Sequence, residues 1–240
     1  MKWLLILFAF YHLTVNIFSQ KINVYQSGIL GQENLQAIAN VSATSVGGMG
    51  FDNRYEGVRG STRLFDTLML SYMLVRGQDK YIQFNSDLDV VRNKLLFNHP
   101  TSGKLMELST EIISELIINK EGKELLFKTT SGMQFDRELK EIKFCQILLE
   151  TPRKFIKIPE KVFIEADYKA AYSADRRYDE YQSASRYFME GNDGILYQIQ
   201  LNKKSLIRIF PDKKQMINSS FKELNNEENE DKIIAILQNL

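Results

Sequence analysis

Tyr187-Phe-Met-Glu-Gly-Asn-Asp-Gly-Ile-Leu-Tyr-Gln-Ile-Gln200 reads as two short strands joined by a tight turn. Tyr187 to Met189 and Ile195 to Gln200 flank Gly191-Asn-Asp-Gly194, where Asn and Gly accept the positive φ that hairpin turns demand. The same grammar recurs upstream. Phe144 to Leu149 and Phe155 to Ile158 flank Thr151-Pro152-Arg153. Lys104 to Leu108, Ile112 to Ile118 and Leu125 to Phe127 are apolar runs parted by turn residues, the last two by Asn119-Lys-Glu-Gly122. Lys80-Tyr-Ile-Gln-Phe84 alternates, and Asn93-Lys-Leu-Leu-Phe97 ends at Asn98, His99 and Pro100. Leu64 to Val75 suits one long strand, two short ones or a helix, while Phe135 to Phe144 alternates imperfectly. Short strands at this spacing predict a meandering, mostly antiparallel sheet.

The period changes after Leu201. Leu206, Ile207, Ile209 and Phe210 form a broad apolar surface, and Pro211 stops that helix while suiting the first turn of the next. Met216, Ile217, Phe221 and Leu224 recur at helical spacing, as do Ile233, Ile234, Ile236 and Leu237. The expected class is therefore α+β: a mostly antiparallel, meander-like sheet over 61–200, followed by two or three short helices over 201–240 packed on the same domain.

Ahead of the strands the sequence has a different character. Lys2, the apolar run Trp3 to Phe10 and the close at Ile17-Phe18-Ser19 have the three-part pattern of a secretory signal over 1–19. A membrane anchor needs about 20 consecutive apolar residues, and His12, Thr14 and Asn16 interrupt this run. Cleavage is expected before Gln20, placing the chain in an extracytoplasmic space, periplasmic or secreted, with no integral membrane segment afterwards. The stretch 20–60 reads as irregular, with five glycines between Val46 and Gly60.

Processing also changes the inventory. From 31 Lys+Arg and 30 Asp+Glu it takes one lysine and no acid, leaving an even balance. Trp3 and His12 go with it, so that His99 and Cys145 are the only imidazole and thiol left. A neutral chain of this kind does not suggest charge-driven nucleic-acid binding. One cysteine cannot close an internal disulfide, and its apolar neighbours predict a buried, inert thiol.

Tyr55-Glu-Gly-Val-Arg-Gly-Ser-Thr-Arg-Leu-Phe65 resembles the Gly-Ser-Pro-Tyr-Leu-Phe opening of a group of exported Bacteroidota proteins. Thr62-Arg63 stand where that opening often has proline and an aromatic. Leu201-Asn-Lys-Lys-Ser-Leu-Ile-Arg-Ile-Phe-Pro-Asp-Lys-Lys214 is similar to their closing Lys-rich helix pair. The resemblance implies export and a strand-rich middle, and carries no catalytic residue and no substrate.

A Ser-His or Cys-His device would have to use His99, which precedes a proline in a turn and reads as a surface loop residue. Ser219-Ser-Phe-Lys222 has the Ser-x-x-Lys spacing but lacks companion motifs, and Ser102-Gly103-Lys104 lacks the following hydroxyl of a phosphate loop. Asp87 and Asp89 would share a strand face, and Glu190, Asn192 and Asp193 cluster at a hairpin; solvated turn charges are the expected reading of both groups. Lys203, Lys204, Arg208, Lys213 and Lys214 make a basic helical patch expected to be solvated or internally paired. No metal or cofactor is called for. The residue types enriched at interfaces concentrate instead at Tyr172, Arg176, Arg177, Tyr178, Tyr181, Arg186 and Tyr187. The sequence thus suggests an exported, soluble cell-envelope protein with a binding or scaffolding role toward a protein or glycan. The alternative is a carboxylate-based hydrolase of envelope carbohydrate.

Overall fold

The computed structural model describes residues 58–99, 102–166, 178–224 and 228–239. All belong to one compact unit of the chain, Glu33–Leu240; the other unit, Met1–Gln32, lies outside the described residues, as do the signal-like segment and most of the glycine-rich stretch.

Ten strands form one sheet: β1 Met69–Val75, β2 Tyr81–Asp89, β3 Lys94–Asn98, β4 Leu105–Ser109, β5 Ile113–Lys120, β6 Lys123–Thr129, β7 Phe144–Leu149, β8 Phe155–Ile164, β9 Glu180–Glu190 and β10 Leu196–Ile199. Their order is β10-β9-β8-β7-β6-β5-β1-β2-β3-β4, and every strand pairing is antiparallel. The ten strands therefore form two meanders, β1–β4 and β5–β10, joined where β5 returns to pair with β1. Three helices come last, α1 Lys203–Ile209, α2 Lys214–Glu223 and α3 Asn229–Gln238. The α+β expectation holds.

Two readings change at the level of elements. Leu64 to Val75 is a strand only from Met69, because Leu64 and Phe65 belong to a strap that crosses to β2. Phe135 to Lys143 is no strand, and Phe144 already begins β7; Phe135 makes one isolated bridge to Leu196, and the connection covers a face of the sheet. Imperfect alternation there reflects side chains reaching down from a loop, with Met133, Phe135 and Leu139 packing on Cys145, Ile156 and Phe188.

The sheet is rolled, and two links show how far. Arg59 bridges Glu180 of β9, and Arg63 bridges Asp89 of β2. Those strands stand six places apart, about 29 Å in a flat sheet, whereas four residues of chain reach at most about 14 Å. The second link is Asn93, in the β2–β3 turn, whose Oδ1 accepts the Phe144 amide of β7 at 3.2 Å. The sequence supplies the means: Asn tolerates the left-handed φ of +56 that this position adopts, and its side chain also donates to Thr110 Oγ1 at 3.2 Å and to the Ile142 carbonyl.

Rolling buries one face of β1–β7. Met73, Ile82, Leu88, Leu95, Phe97, Leu108, Leu116, Ile118, Phe127 and Phe144 share it, by the period of two and the observed registers. Ser71 and Ser86 fall on the same face; Ser86 Oγ donates to Ser71 Oγ at 2.7 Å, and Ser71 donates to the Met69 carbonyl, so neither hydroxyl is left unsatisfied. Over β8–β10 the helices take over. Phe155, Met189 and Ile199 pack with Leu206, Phe210, Ile217, Ile233, Ile236 and Leu237. Asn202 caps α1 by accepting the Ser205 amide at 2.9 Å, and Pro211 opens a 3-10 turn that leads into α2.

Candidate functional site

β8 and β9 remain paired from Phe155–Met189 to Ile164–Glu180, ten register positions. Their outer neighbours stop much sooner. β7 accompanies β8 only as far as Lys157, and β10 accompanies β9 only between Tyr187 and Glu190. The distal half is thus a two-stranded arm, joined near its end by the single bridge from Arg59. Burial follows the pairing: Phe155 and Met189 at the base are fully buried, while Val162 and Phe163 are 49% and 42% exposed. Tyr178, just before β9, is 50% exposed.

This geometry divides the residues singled out from the sequence. Tyr172, Arg176 and Arg177 lie outside the described residues. Tyr178 and Tyr181 are brought together with Arg59, Gly60 and Phe163 at the arm. The Arg59 guanidinium lies 3.9 Å from the centre of the Tyr178 ring, a cation–π contact. The Tyr181 and Phe163 rings are 5.2 Å apart. Gly60 fits beneath because it has no side chain: its φ is +74, and a Cβ would stand 2.8 Å from the Tyr181 carbonyl oxygen.

Arg186 and Tyr187, by contrast, serve the base of the arm, on opposite faces. Arg186 pairs with Glu160, Nε to Oε1 at 2.9 Å. The Tyr187 hydroxyl donates to Glu230 Oε2 at 2.9 Å, and Lys157 Nζ donates to the same oxygen at 3.0 Å, tying α3 to the sheet. Burial and the Glu230 hydrogen bond raise the Tyr187 pKa. For Lys157 burial pulls downward, but the bond and charge of Glu230 outweigh it and hold the ammonium above its ordinary value. Both residues are therefore structural anchors of the arm.

Asp87 and Asp89 correct the expectation of solvated charges, being 0% and 1% exposed. They do share the face of β2 away from the rolled core, but the strap covers them. Asp89 accepts from Thr62 Oγ1 at 2.7 Å, from the amides of Val91 and Arg92 at 3.1 and 2.8 Å, and from Arg92 Nε at 2.9 Å. Asp87 accepts from Arg63 Nε at 3.0 Å and from the amides of Phe65 and Leu88 at 3.2 and 2.7 Å. Burial pushes the Asp87 carboxyl up, against the pull of those amides and of Arg63. Seven hydrogen bonds to two carboxylates make them anchors for the strap and the β2–β3 turn. The Gly60-Ser-Thr-Arg-Leu-Phe65 motif consequently has a structural reading at nearly every position: Gly60 seats under Tyr181, Thr62 and Arg63 hold the aspartates, and Leu64 and Phe65 pack on the core.

The remaining residues fall out simply. Cys145 is fully buried, and burial pushes its thiol up to about 12. His99 follows β3 and accepts the Ser102 amide on Nδ1 at 3.2 Å. Ser219 donates to the Met216 carbonyl one turn back in α2. Glu190 accepts the Lys154 amide, and Asp193 accepts the Tyr197 hydroxyl at 2.6 Å within the hairpin. The basic residues of α1 and α2 are exposed, as one of the two expectations had it. Among the described residues, no group of three or more His, Cys, Asp or Glu is placed to hold a metal ion, and no helix is long and apolar enough to cross a membrane.

No protein-family model matches this chain, and comparison with curated proteins and with solved structures returns no match.

Proposed function

We propose that this is an exported binding protein of the cell envelope, whose β8–β9 arm engages a protein or glycan partner. The observation that carries the reading is the placement of Val162, Phe163 and Tyr178. These are three of the five exposed large hydrophobic residues among those described; Val162 and Phe163 lie on β8 of the arm, and Tyr178 immediately precedes β9. Exposed apolar side chains concentrated on one element are a common mark of interaction surfaces, and tyrosine beside arginine is the composition of interface hot spots. The first nineteen residues support export by their charge and apolar pattern. The alternative of a carboxylate hydrolase receives no such support from Asp87 and Asp89, whose oxygens are taken up by the strap.

The test has two arms. The N-terminal residue of the chain recovered outside the cytoplasm is expected to be Gln20; retention inside the cell removes the exported reading. Phe163→Ser with Tyr178→Ser is expected to keep the fold, by circular dichroism, while abolishing cross-linking to envelope components through a photoreactive group placed at Val162. Cross-linking unchanged in the double variant removes the arm as the binding site.

A further inference from the structure

A groove of about 550 Å³ opens on the other side of β10, away from the arm. Its walls are the β6–β7 connection, the outer edge of β10 and one side of α1, and its volume is typical of small-ligand clefts. Arg137 enters from the connection, and Lys204 and Arg208 enter from α1. Asp136 is the only acid in the lining, so the groove carries a formal excess of two positive charges.

These cations differ in their surroundings from others in the molecule. Arg63, Arg92, Lys128, Lys157 and Arg186 each stand against a carboxylate. Arg137 and Lys204 have no ion-pair partner among the described residues, and both are exposed. Arg208 is held by its backbone neighbour: Nη2 donates to the Gln198 carbonyl at 2.8 Å. That bond uses one of five guanidinium donors and positions the rest at the groove wall. A second fixed contact orders the amides. Asn202 Nδ2 donates to Gln200 Oε1 at 3.0 Å, which leaves the Gln200 Nε2 donor unspent.

Charge and hydrogen-bonding capacity thus converge from two chain segments separated by some sixty residues of sequence. Guanidinium groups match carboxylate, sulfate and phosphate oxygens in pairs. The amides of Gln198 and Gln200, able to donate and accept, match hydroxyl groups. The lining contains no aromatic ring, so nothing here would stack a nucleobase.

We propose that this groove binds a small hydroxylated anion, a sugar acid or a sugar ester of sulfate or phosphate. The site is separate from the arm and stands whether or not the arm binds a partner. It adds to the molecule a recognition point for charged carbohydrate. The anion sits between Arg137 and the α1 cations, and the sugar hydroxyls lie along the β10 amides.

The test uses the full chain and six probes at low ionic strength, where exposed charges are least screened. Glucuronate, glucose 6-sulfate and glucose 6-phosphate are titrated by calorimetry, with glucose, acetate and inorganic phosphate as comparisons. At least one of the three sugar anions is expected to bind with Kd of about 1 mM or tighter, and its headgroup names the anion. Arg137→Gln with Lys204→Gln is expected to weaken that binding at least about tenfold with Tm unchanged. Lys104→Gln with Lys123→Gln removes the same charge elsewhere and is expected to leave binding as it was. Three results overturn the proposal. The sugar anions all fail to bind at about 10 mM; acetate or inorganic phosphate binds as tightly as its sugar counterpart; or the two double variants weaken binding equally.

Discussion

The Oδ1 of Asn93 accepts the amide of Phe144 across a distance of 3.2 Å, although β3 and β7 stand five places apart in the sheet order. One side chain thus ties the β2–β3 turn to β7 across the roll. It does so from a backbone conformation that costs most residues about 1–2 kcal/mol, and that asparagine and glycine accept.

Two substitutions at Asn93 separate its roles. Asn93→Gly keeps the φ of +56 without strain but leaves the Phe144 amide without its acceptor, a loss of about 1–3 kcal/mol. Asn93→Ala loses the same bonds and adds the left-handed penalty, about 1 kcal/mol more. Urea unfolding is expected to rank the proteins wild type, then Gly, then Ala. Equal stability of Gly and wild type would show that the bond to Phe144 contributes nothing.

Gly60 and Gly77 form a matched pair for the strap. Both have positive φ, +74 and +81, but only Gly60 has a neighbour within 4 Å of an added Cβ. Gly77→Ala is expected to cost about 1 kcal/mol from backbone strain alone. Gly60→Ala carries that cost and must also push the strap away from the Tyr181 carbonyl. It is expected to show the larger drop in urea midpoint, with faster hydrogen exchange at the Tyr181 amide, which donates to the Arg59 carbonyl at 2.9 Å. Equal effects of the two substitutions would mean that the close approach is not held in solution.

The anchor of α3 gives a pH dependence of definite sign. Lys157 and Tyr187 both have folded pKa values raised above their ordinary 10.5 and 10.0. Each favours its protonated form in the folded state, so the stability they add is complete below the unfolded values. It is lost as pH rises through the folded ones. Alkaline titration above about pH 10 should therefore loosen α3 before the rolled core, read as early hydrogen exchange or proteolysis at 229–238. Glu230→Gln, which removes the shared charge, should move this loosening to lower pH. A helix that remains protected until global unfolding in both proteins would contradict the anchor.

Cys145 offers a direct probe of burial. With its thiol pushed up to about 12 and no exposed surface, it is expected to resist a disulfide reagent at pH 8 in the native protein. Full reaction should follow at the rate of unfolding in denaturant. Rapid native reaction would place β7 at a mobile edge.

What the sequence made legible was whatever depends on short-range pattern. The Gly191 to Gly194 turn, the runs around Leu95 and Ile117, and the helical spacing of Ile233 and Leu237 all rest on local periodicity, and all stand where they were expected. The burial of Asp87 and Asp89 has no local signal, because the residues that cover them, Thr62 and Arg63, come from a segment twenty-odd positions earlier. A charge every second residue looks the same on a solvated strand and beneath a strap. In sequence Tyr187 and Tyr178 look alike, both tyrosines near arginine. What parts them is where α3 lands, and only the chain trace brings Glu230 to one and not the other. The curvature was hidden for the same reason: Asn93 looks like a turn residue and is one, while its bond to Phe144 has no signature in the pattern.

Strand pairing here also has consequences for the order of assembly. Eight of the nine ladders join neighbours in sequence, contacts that hairpin closure can make within microseconds. The ladder between β1 and β5 must wait for the 37 residues between Val75 and Ile113, and the bond from the Arg59 amide to the Asp179 carbonyl for about three times as many. Loop closure of that length comes slowly. Two meanders can thus be complete while the roll is still open and the face bearing Phe97 and Phe127 still meets water. Synthesis runs from the N-terminus, so the strap is among the earliest of the described residues to be made, and it spends the longest time waiting for its partner.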